Sequence, residues 1–207
     1  MVLNYLPFYK IFTRTGTAFM PFSFLYLSPI FIIFPEYVYL WAMFSIIFMQ
    51  SILLHPLGAQ KLLTKIIFLT NYPVKRYLRS FNLFLAFVIN LCCAILLLFP
   101  VIIEKISLHT AFHTLLLMNT MLFTAFTLGN SLELSDFSTV KYSILKKVAE
   151  NILLSLAIFA VFMCYMLFSI FLNDNKLLIL SGLLAISLIL WHISLNKINR
   201  IKYFHYL

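Results

Sequence analysis

Charged side chains are scarce in this sequence. Asp, Glu, Lys and Arg make up 10% of the 207 residues, whereas 63% are hydrophobic and the mean hydropathy is +1.03. An ordinary soluble domain carries about 25% charged residues. The composition therefore excludes an ordinary soluble domain and indicates a membrane protein.

Glycine and cysteine are also few. The four glycines, Gly16, Gly58, Gly129 and Gly182, lie too far apart for a phosphate-binding loop. His-Glu-x-x-His and Gly-x-Ser-x-Gly motifs are absent, and the three cysteines fall within apolar stretches, where they behave as small hydrophobic residues. We therefore expect no enzyme activity, no catalytic residue, no cofactor and no disulfide framework.

Two histidines provide the nearest approach to a metal site. His109 and His113 stand four residues apart, on one face of a predicted helix. Glu104 is the only obvious third ligand nearby. Interfacial histidines that bond lipid or backbone explain the pair better, so we expect no metal.

The charges that are present cluster and leave six long charge-free stretches. A helix needs about 20 apolar residues to cross the hydrocarbon core of a bilayer. The sequence therefore predicts an all-α polytopic protein with a single transmembrane domain over residues 1–207. Its six predicted transmembrane helices cover residues 15–35, 37–58, 80–103, 107–132, 148–172 and 177–195.

The basic residues predict an orientation. If the N-terminus is cytoplasmic, thirteen of the fifteen Lys and Arg lie in inner segments, and Lys105 and Lys176 alone lie outside. Such an excess of cytoplasmic Lys and Arg is typical of membrane proteins. The protein is therefore expected in the cell (inner or plasma) membrane, with both termini on the cytoplasmic side. The net charge of +9 is explained by this topology and by contact with anionic lipids, and nucleic acid is not an expected partner.

The stretch 59–79 is the longest basic piece that is still apolar enough to fold. It begins as an amphipathic helix, is interrupted at Pro73, and resumes as a short basic run before the third span. This pattern is typical of an interfacial helix on the cytoplasmic face. Its basic residues are Lys61, Lys65, Lys75, Arg76 and Arg79.

Polar side chains inside the predicted spans form a second candidate site, because such residues are costly in lipid unless they are partnered or line a path. A possible translocation path comprises Gln50, Asn90, Asn119, Thr120, Thr124 and Thr127. The alternative, and the one favoured by the residues alone, is that these side chains hydrogen-bond between helices of a bundle.

The segment Leu69-Thr70-Asn71-Tyr72-Pro73-Val74-Lys75-Arg76, between the second and third predicted spans, resembles the coupling segment of small permease subunits in type-2 ABC exporters. That family usually has a Glu ahead of this segment, where this sequence has Gln50 and Gln60. The resemblance implies that 59–79 docks a separate ATP-binding subunit. The implied docking residues are Lys61, Lys65, Ile67, Phe68, Tyr72, Pro73, Lys75, Arg76 and Arg79.

The function expected from this resemblance is ATP-driven export of a hydrophobic or amphipathic substrate, such as a peptide or lipid-like molecule. The expected partners are the ATPase, a second permease copy or related membrane subunit, and membrane lipids. A structural or accessory membrane subunit is the main alternative. A secondary transporter is a third, although the helix centres carry none of the charges that such proteins usually show.

Overall fold

The part of the chain that the structure describes is helical. The computed structural model describes residues 34–49, 53, 74–136, 144–171 and 175–198. A short 3-10 helix, Pro35–Tyr37, precedes five α-helices: α1 (Val38–Phe48), α2 (Val74–Ile102), α3 (Leu108–Asp136), α4 (Ile144–Phe171) and α5 (Lys176–Ile198). These residues include no strand, so the predicted all-α class is confirmed for them.

Four of the helices are long and apolar enough to cross a membrane. Their apolar spans are Val74–Ile102, Leu108–Leu132, Val148–Phe171 and Lys176–Lys197, which correspond to the third to sixth predicted spans. With 11 residues, α1 is shorter than the roughly 20 that a crossing requires. Nearly all of the first predicted span, 15–35, and residues 50–52 and 54–58 of the second, 37–58, lie outside the described residues, and the count of six stays a prediction.

The N-terminus of α2 differs from the sequence prediction. The third span is predicted from residue 80, but α2 already begins at Val74. Proline is favoured at the border where a helix starts, and the chain has neither Gly nor Pro from Val74 to Phe99. Long basic side chains reach water from a helix end, so their charge does not stop the helix. Lys75, Arg76 and Arg79 consequently lie on the first two turns of the spanning helix itself.

The connection between α2 and α3 is a tight turn. The Lys105 N–H donates to the Pro100 carbonyl at 2.9 Å and the Glu104 N–H to the Val101 carbonyl at 3.0 Å, which is a Schellman motif. Glu104 therefore takes a left-handed conformation, with φ of 58°. Three residues after Glu104, Ser107 caps α3 by accepting the Thr110 N–H at 3.0 Å. The two long helices are thereby joined as an antiparallel hairpin.

The centre of the described bundle is α3, which packs against each of the other four α-helices. In its most apolar stretch 56% of residues are buried, against 22% in α4 and in α5. Met118, Met121, Leu122, Ala125 and Phe126 form its buried face. The most enclosed helix is thus also the one that carries the largest number of intramembrane polar residues.

The outward surfaces of α2, α4 and α5 are apolar. On α2, Phe87, Leu91 and Ile95 recur every four residues and are at least half exposed, at 64%, 51% and 60%. Water would make so large an apolar surface prone to association, whereas acyl chains solvate it. The length of the four spans and this surface together indicate a multi-pass membrane protein.

Contacts between helices fix their directions. Lys75 at the start of α2 bonds Asn196 at the end of α5, and Tyr39 of α1 lies against Tyr165 of α4 with ring centroids 5.6 Å apart. The α2 N-terminus and the α5 C-terminus are therefore at one end of the bundle, which we call the basic end. That this end faces the cytoplasm stays a prediction.

Candidate functional site

The polar residues of α2, α3 and α5 meet along the faces by which these helices contact one another. They form three rungs, here called the polar ladder: Asn82 with Asn130 and Ser194, Thr124 with Ser187, and Asn90 with Asn119. Their positions on α3 are five or six residues apart, or about 8–9 Å along the helix axis. The ladder therefore runs lengthwise through the interior of the described bundle.

The rung made by Asn90 and Asn119 is reciprocal. Asn90 Nδ2 donates to Asn119 Oδ1 at 2.8 Å, and Asn119 Nδ2 donates back to Asn90 Oδ1 at 2.7 Å. Each amide also donates to the carbonyl four residues earlier, at Ala86 and Leu115 respectively. Each carboxamide therefore makes three hydrogen bonds inside the bundle. The pair joins α2 to α3 near the middle of the membrane span.

The rung nearest the basic end links three helices. Asn130 of α3 accepts from Asn82 Nδ2 of α2 at 3.3 Å and donates to Ser194 Oγ of α5 at 3.2 Å. Ser194 in turn donates to the Trp191 carbonyl at 2.7 Å. All three polar side chains are buried, with 4% exposure or less. Buried polar groups are tolerated when they are bonded in this way.

The threonines of the predicted path bond to their own helix. Thr120, Thr124 and Thr127 each donate to the carbonyl four residues earlier, at 2.8–2.9 Å. Of the three, Thr124 also reaches across to Ser187 Oγ, at 3.2 Å. A hydrogen bond to the carbonyl of its own helix satisfies the hydroxyl donor within the membrane, so that it needs no partner on another helix. Gln50, the sixth residue of the predicted path, lies outside the described residues.

Basic side chains gather at the end of the bundle where α2 begins. Lys75 Nζ donates to Asn196 Oδ1 at 2.7 Å, which ties the first turn of α2 to the last turns of α5. Arg76, Arg79 and Lys197 are exposed at the same end. The other predicted docking residues, Lys61, Lys65, Ile67, Phe68, Tyr72 and Pro73, lie outside the described residues.

The histidine pair lies at the opposite end, on the first turns of α3. The ring centroids of His109 and His113 are 3.9 Å apart, and His113 is buried whereas His109 is exposed. Within the described ranges, no group of three or more His, Cys, Asp or Glu side chains comes together. The pair alone supplies two ligands, and a structural zinc site needs four.

A groove between α1 and α4 was missed by the sequence analysis. It has a volume of about 640 Å³ and opens to the outside of the bundle. Asn151 and Ser155 contribute the polar part of its lining. The available signal was their spacing, since two polar residues four apart at the start of an apolar span share one face of the helix.

No protein-family model, no curated protein and no solved structure matches this chain. The class of the protein therefore rests on its helices, which are those of a multi-pass membrane protein.

Proposed function

We propose that this chain is the permease subunit of an ATP-driven exporter and that it docks a separate ATPase at the basic end. The observation that carries the proposal is the position of Arg76 and Arg79, exposed on the first turns of a helix that continues across the membrane span. The bond from Lys75 to Asn196 holds this helix start against α5. The basic end is thus a braced surface that suits an acidic partner.

Because α2 is one continuous helix from the basic end through the membrane span, it can transmit movement. A coupling element must pass movement of a soluble subunit into the membrane. A force applied at Arg76 or Arg79 acts directly on α2, whose Asn82 and Asn90 are bonded to Asn130 and Asn119 of α3. Since α3 contacts every other described α-helix, displacement of α2 reaches the whole bundle.

Affinity capture of the tagged full chain from its native membrane tests the docking. We expect an ATP-hydrolysing subunit to be captured with the unaltered chain. Arg76→Gln with Arg79→Gln should reduce its recovery about tenfold or more, because two interfacial charges are lost. Lys105→Gln with Lys176→Gln removes the same charge from the opposite end and should leave recovery unchanged.

The residues outside the described ranges give a second arm of the same experiment. Phe68→Asp with Tyr72→Asp should abolish ATPase capture while the chain keeps its elution volume in size exclusion. Capture that is equal in all variants, or the recovery of no ATPase with the unaltered chain, would refute the permease assignment.

A structural or accessory membrane subunit is the second candidate, and the polar ladder favours it. The carboxamides of Asn90 and Asn119 bond each other and their own helices, as expected of residues that fasten a bundle. This candidate predicts that affinity capture recovers integral membrane proteins without ATPase activity. It also predicts that apolar replacement of the rung leaves the function of the complex intact.

The cargo of the proposed exporter is hydrophobic or amphipathic. Apart from Glu150 near the start of α4, no Asp, Glu, Lys or Arg side chain is buried in the described spans, and their outer surface is strongly apolar. Such a lining does not suit a small ion. Reconstitution of the chain with its ATPase into vesicles, followed by ATP-dependent loss of a fluorescent lipid or hydrophobic peptide from one leaflet, measures this directly.

A further inference from the structure

We infer that the groove between α1 and α4 is a binding site for one acyl chain of an amphipathic lipid. The groove is formed by one turn of α1 and three turns of α4. Its apolar walls are Met43, Phe44, Ile47, Ile152, Leu156 and Phe159. A volume of about 640 Å³ lies within the range of roughly 300–1,000 Å³ that is usual for small-molecule sites. The inference goes beyond the proposed function, because it requires no ATPase.

The length of the groove matches one leaflet. Along α4 its lining extends from Val148 to Phe159, twelve residues that span about 16 Å along the helix axis. Half of a hydrocarbon core is about 15 Å thick. A transmembrane helix of a partner would pack along the full core, whereas a single acyl chain ends at mid-membrane, as the groove does.

The walls of the groove face the lipid. Phe44 and Phe159, one on each helix, are 46% and 48% exposed, and Ile152 and Leu156 between them are 54% and 60% exposed. The site is therefore open laterally to the bilayer, and a lipid can enter it without passing through the bundle.

Two polar side chains lie on the otherwise apolar wall of the groove. Asn151 and Ser155 lie four residues apart on the same face of α4 and are half-buried. No hydrogen bond joins either side chain to another described residue, whereas Asn82, Asn90, Asn119 and their ladder partners are all bonded. Unpaired polar groups are costly at membrane depth. A bound molecule with acceptors at this level would remove that cost.

The depth of the polar pair identifies the part of the lipid that it meets. Asn151 and Ser155 stand about 4 and 10 Å along the helix axis from Val148, where the apolar span begins. Because side chains on a helix point back toward its N-terminus, the Asn151 amide reaches the border of the apolar span, where the ester linkage of a lipid lies above its acyl chain. Ser155 lies deeper, beside the acyl chain itself. The Asn151 amide is a donor, and an ester carbonyl is an acceptor. We therefore expect an ester-linked lipid to bind better than its ether analogue.

Photo-crosslinking tests the site with the purified full chain in detergent, without an ATPase. The probe is a monoacyl phospholipid that carries a diazirine in its chain, and labelled residues are mapped by mass spectrometry. We expect labelling of 43–47 and 152–159 that excess unlabelled ester lipid removes. The ether analogue should compete about tenfold less well, since it lacks the carbonyl that accepts from Asn151.

Matched variants separate the groove from general lipid contact. Ser155→Phe fills the groove and should reduce labelling at least fivefold, whereas Ala160→Phe places the same ring on exposed α4 surface and should not. Asn151→Leu with Ser155→Ala should keep the labelling and abolish the preference for the ester. The unaltered chain suffices for the competition experiment if a variant does not fold.

Three results would overturn the inference. Equal labelling of Phe87 and Ile95 on α2 that the competitor does not remove would show bulk lipid contact. Equal competition by ester and ether lipids would remove the role of Asn151. Crosslinking of Phe159→Cys to a second copy of the chain would make the groove a protein interface. ATPase capture is a separate readout, so failure of the proposed exporter leaves this test unaffected.

Discussion

Asn90 and Asn119 are the intramembrane polar residues on which the two interpretations, a translocation path and fastening of the bundle, differ most. Each side chain makes bonds both to the other and to its own helix, and neither needs water or cargo to be satisfied. A residue of a translocation path must instead exchange partners as cargo passes. The described geometry therefore agrees with fastening of α2 to α3, and the choice can be measured.

Replacement of one partner in this rung should cost more than replacement of both. Asn90→Leu leaves Asn119 with unmet bonds in the membrane, and we expect a loss of about 0.6–1.7 kcal/mol in the free energy of unfolding. Asn90→Leu with Asn119→Leu should recover part of that loss, because neither carboxamide remains. Unfolding in mixed micelles gives the double-mutant cycle. Strict additivity would contradict the reciprocal bond, and loss of transport with full stability would favour the path.

The backbone of Glu104 carries strain that a single substitution removes. A left-handed conformation costs a residue with a side chain about 1–2 kcal/mol, and glycine avoids this cost while losing about 0.5–1 kcal/mol of chain entropy. Glu104→Gly should therefore stabilise the α2–α3 turn by up to about 1 kcal/mol.

Glu104→Ala is the control for that substitution, because it removes the carboxylate but keeps Cβ. It should produce no comparable gain in the free energy of unfolding. If both variants gain equally, the charge of Glu104 and not its φ is the source of the effect.

α3 differs from the helices around it in how much of its surface is buried. α3 is enclosed on most sides, whereas α4 and α5 each bury a narrow strip and present the rest to lipid. The sequence of α3 is correspondingly the least apolar of the four spans, and polar residues of α3 such as Thr124 and Asn130 hydrogen-bond to a neighbouring helix. The same change should therefore have unequal effects on these helices.

Enlarging an alanine tests this difference. Ala125 of α3 is completely buried, and Ala125→Leu should lower the free energy of unfolding by about 1–3 kcal/mol through overpacking. Ala160 of α4 is exposed, and Ala160→Leu should change it by less than about 0.5 kcal/mol. Thermal unfolding followed by helical ellipticity in one detergent compares the pair. Equal losses would mean that α4 is as enclosed as α3.

At the scale of the whole molecule, the contact between Lys75 and Asn196 fixes which helix ends share a side. Lys197 then lies with Lys75, and Lys105 and Lys176 belong to helix ends on the other side. From the positive-inside asymmetry we expect the first side to face the cytoplasm.

Thiol labelling in intact cells tests this orientation. In a chain without its three cysteines, Lys105→Cys should react with an impermeant maleimide added outside, and Lys197→Cys only after the membrane is opened. A reporter fused at residue 207 should likewise be cytoplasmic. Labelling of Lys197→Cys from outside would contradict both the orientation and the predicted six spans.

We expect the chain to function in an assembly of membrane subunits. One chain of this size, without a soluble ATPase, does not form an alternating-access ATP-driven pathway alone, so we expect a dimer of permeases, like or unlike. Blue-native electrophoresis after mild solubilisation should show at least two membrane subunits together. A strict monomer with no second membrane subunit would refute the expectation.

The amino-acid sequence by itself determined the helical class and the third to sixth spans. Charge-free runs of about 20 residues have few stable alternatives in a bilayer, where every backbone group must be bonded within the chain. The N-termini of α3 and α5 lie within one residue of the predicted spans, whereas both helices continue past the charged residues that bound the runs, to Asp136 and Ile198. The polar residues of α2 and α3 were recognisable because they are costly in lipid.

The partners of those residues became visible only in the tertiary structure. The pairing of Asn90 with Asn119, and of Lys75 with Asn196, joins residues distant in sequence, and no local pattern specifies which faces meet. The early start of α2 depended on basic side chains that can extend to water from within a helix. The α1–α4 groove is lined by residues about 100 positions apart in the sequence, so Asn151 and Ser155 became a candidate site only when their neighbours were placed.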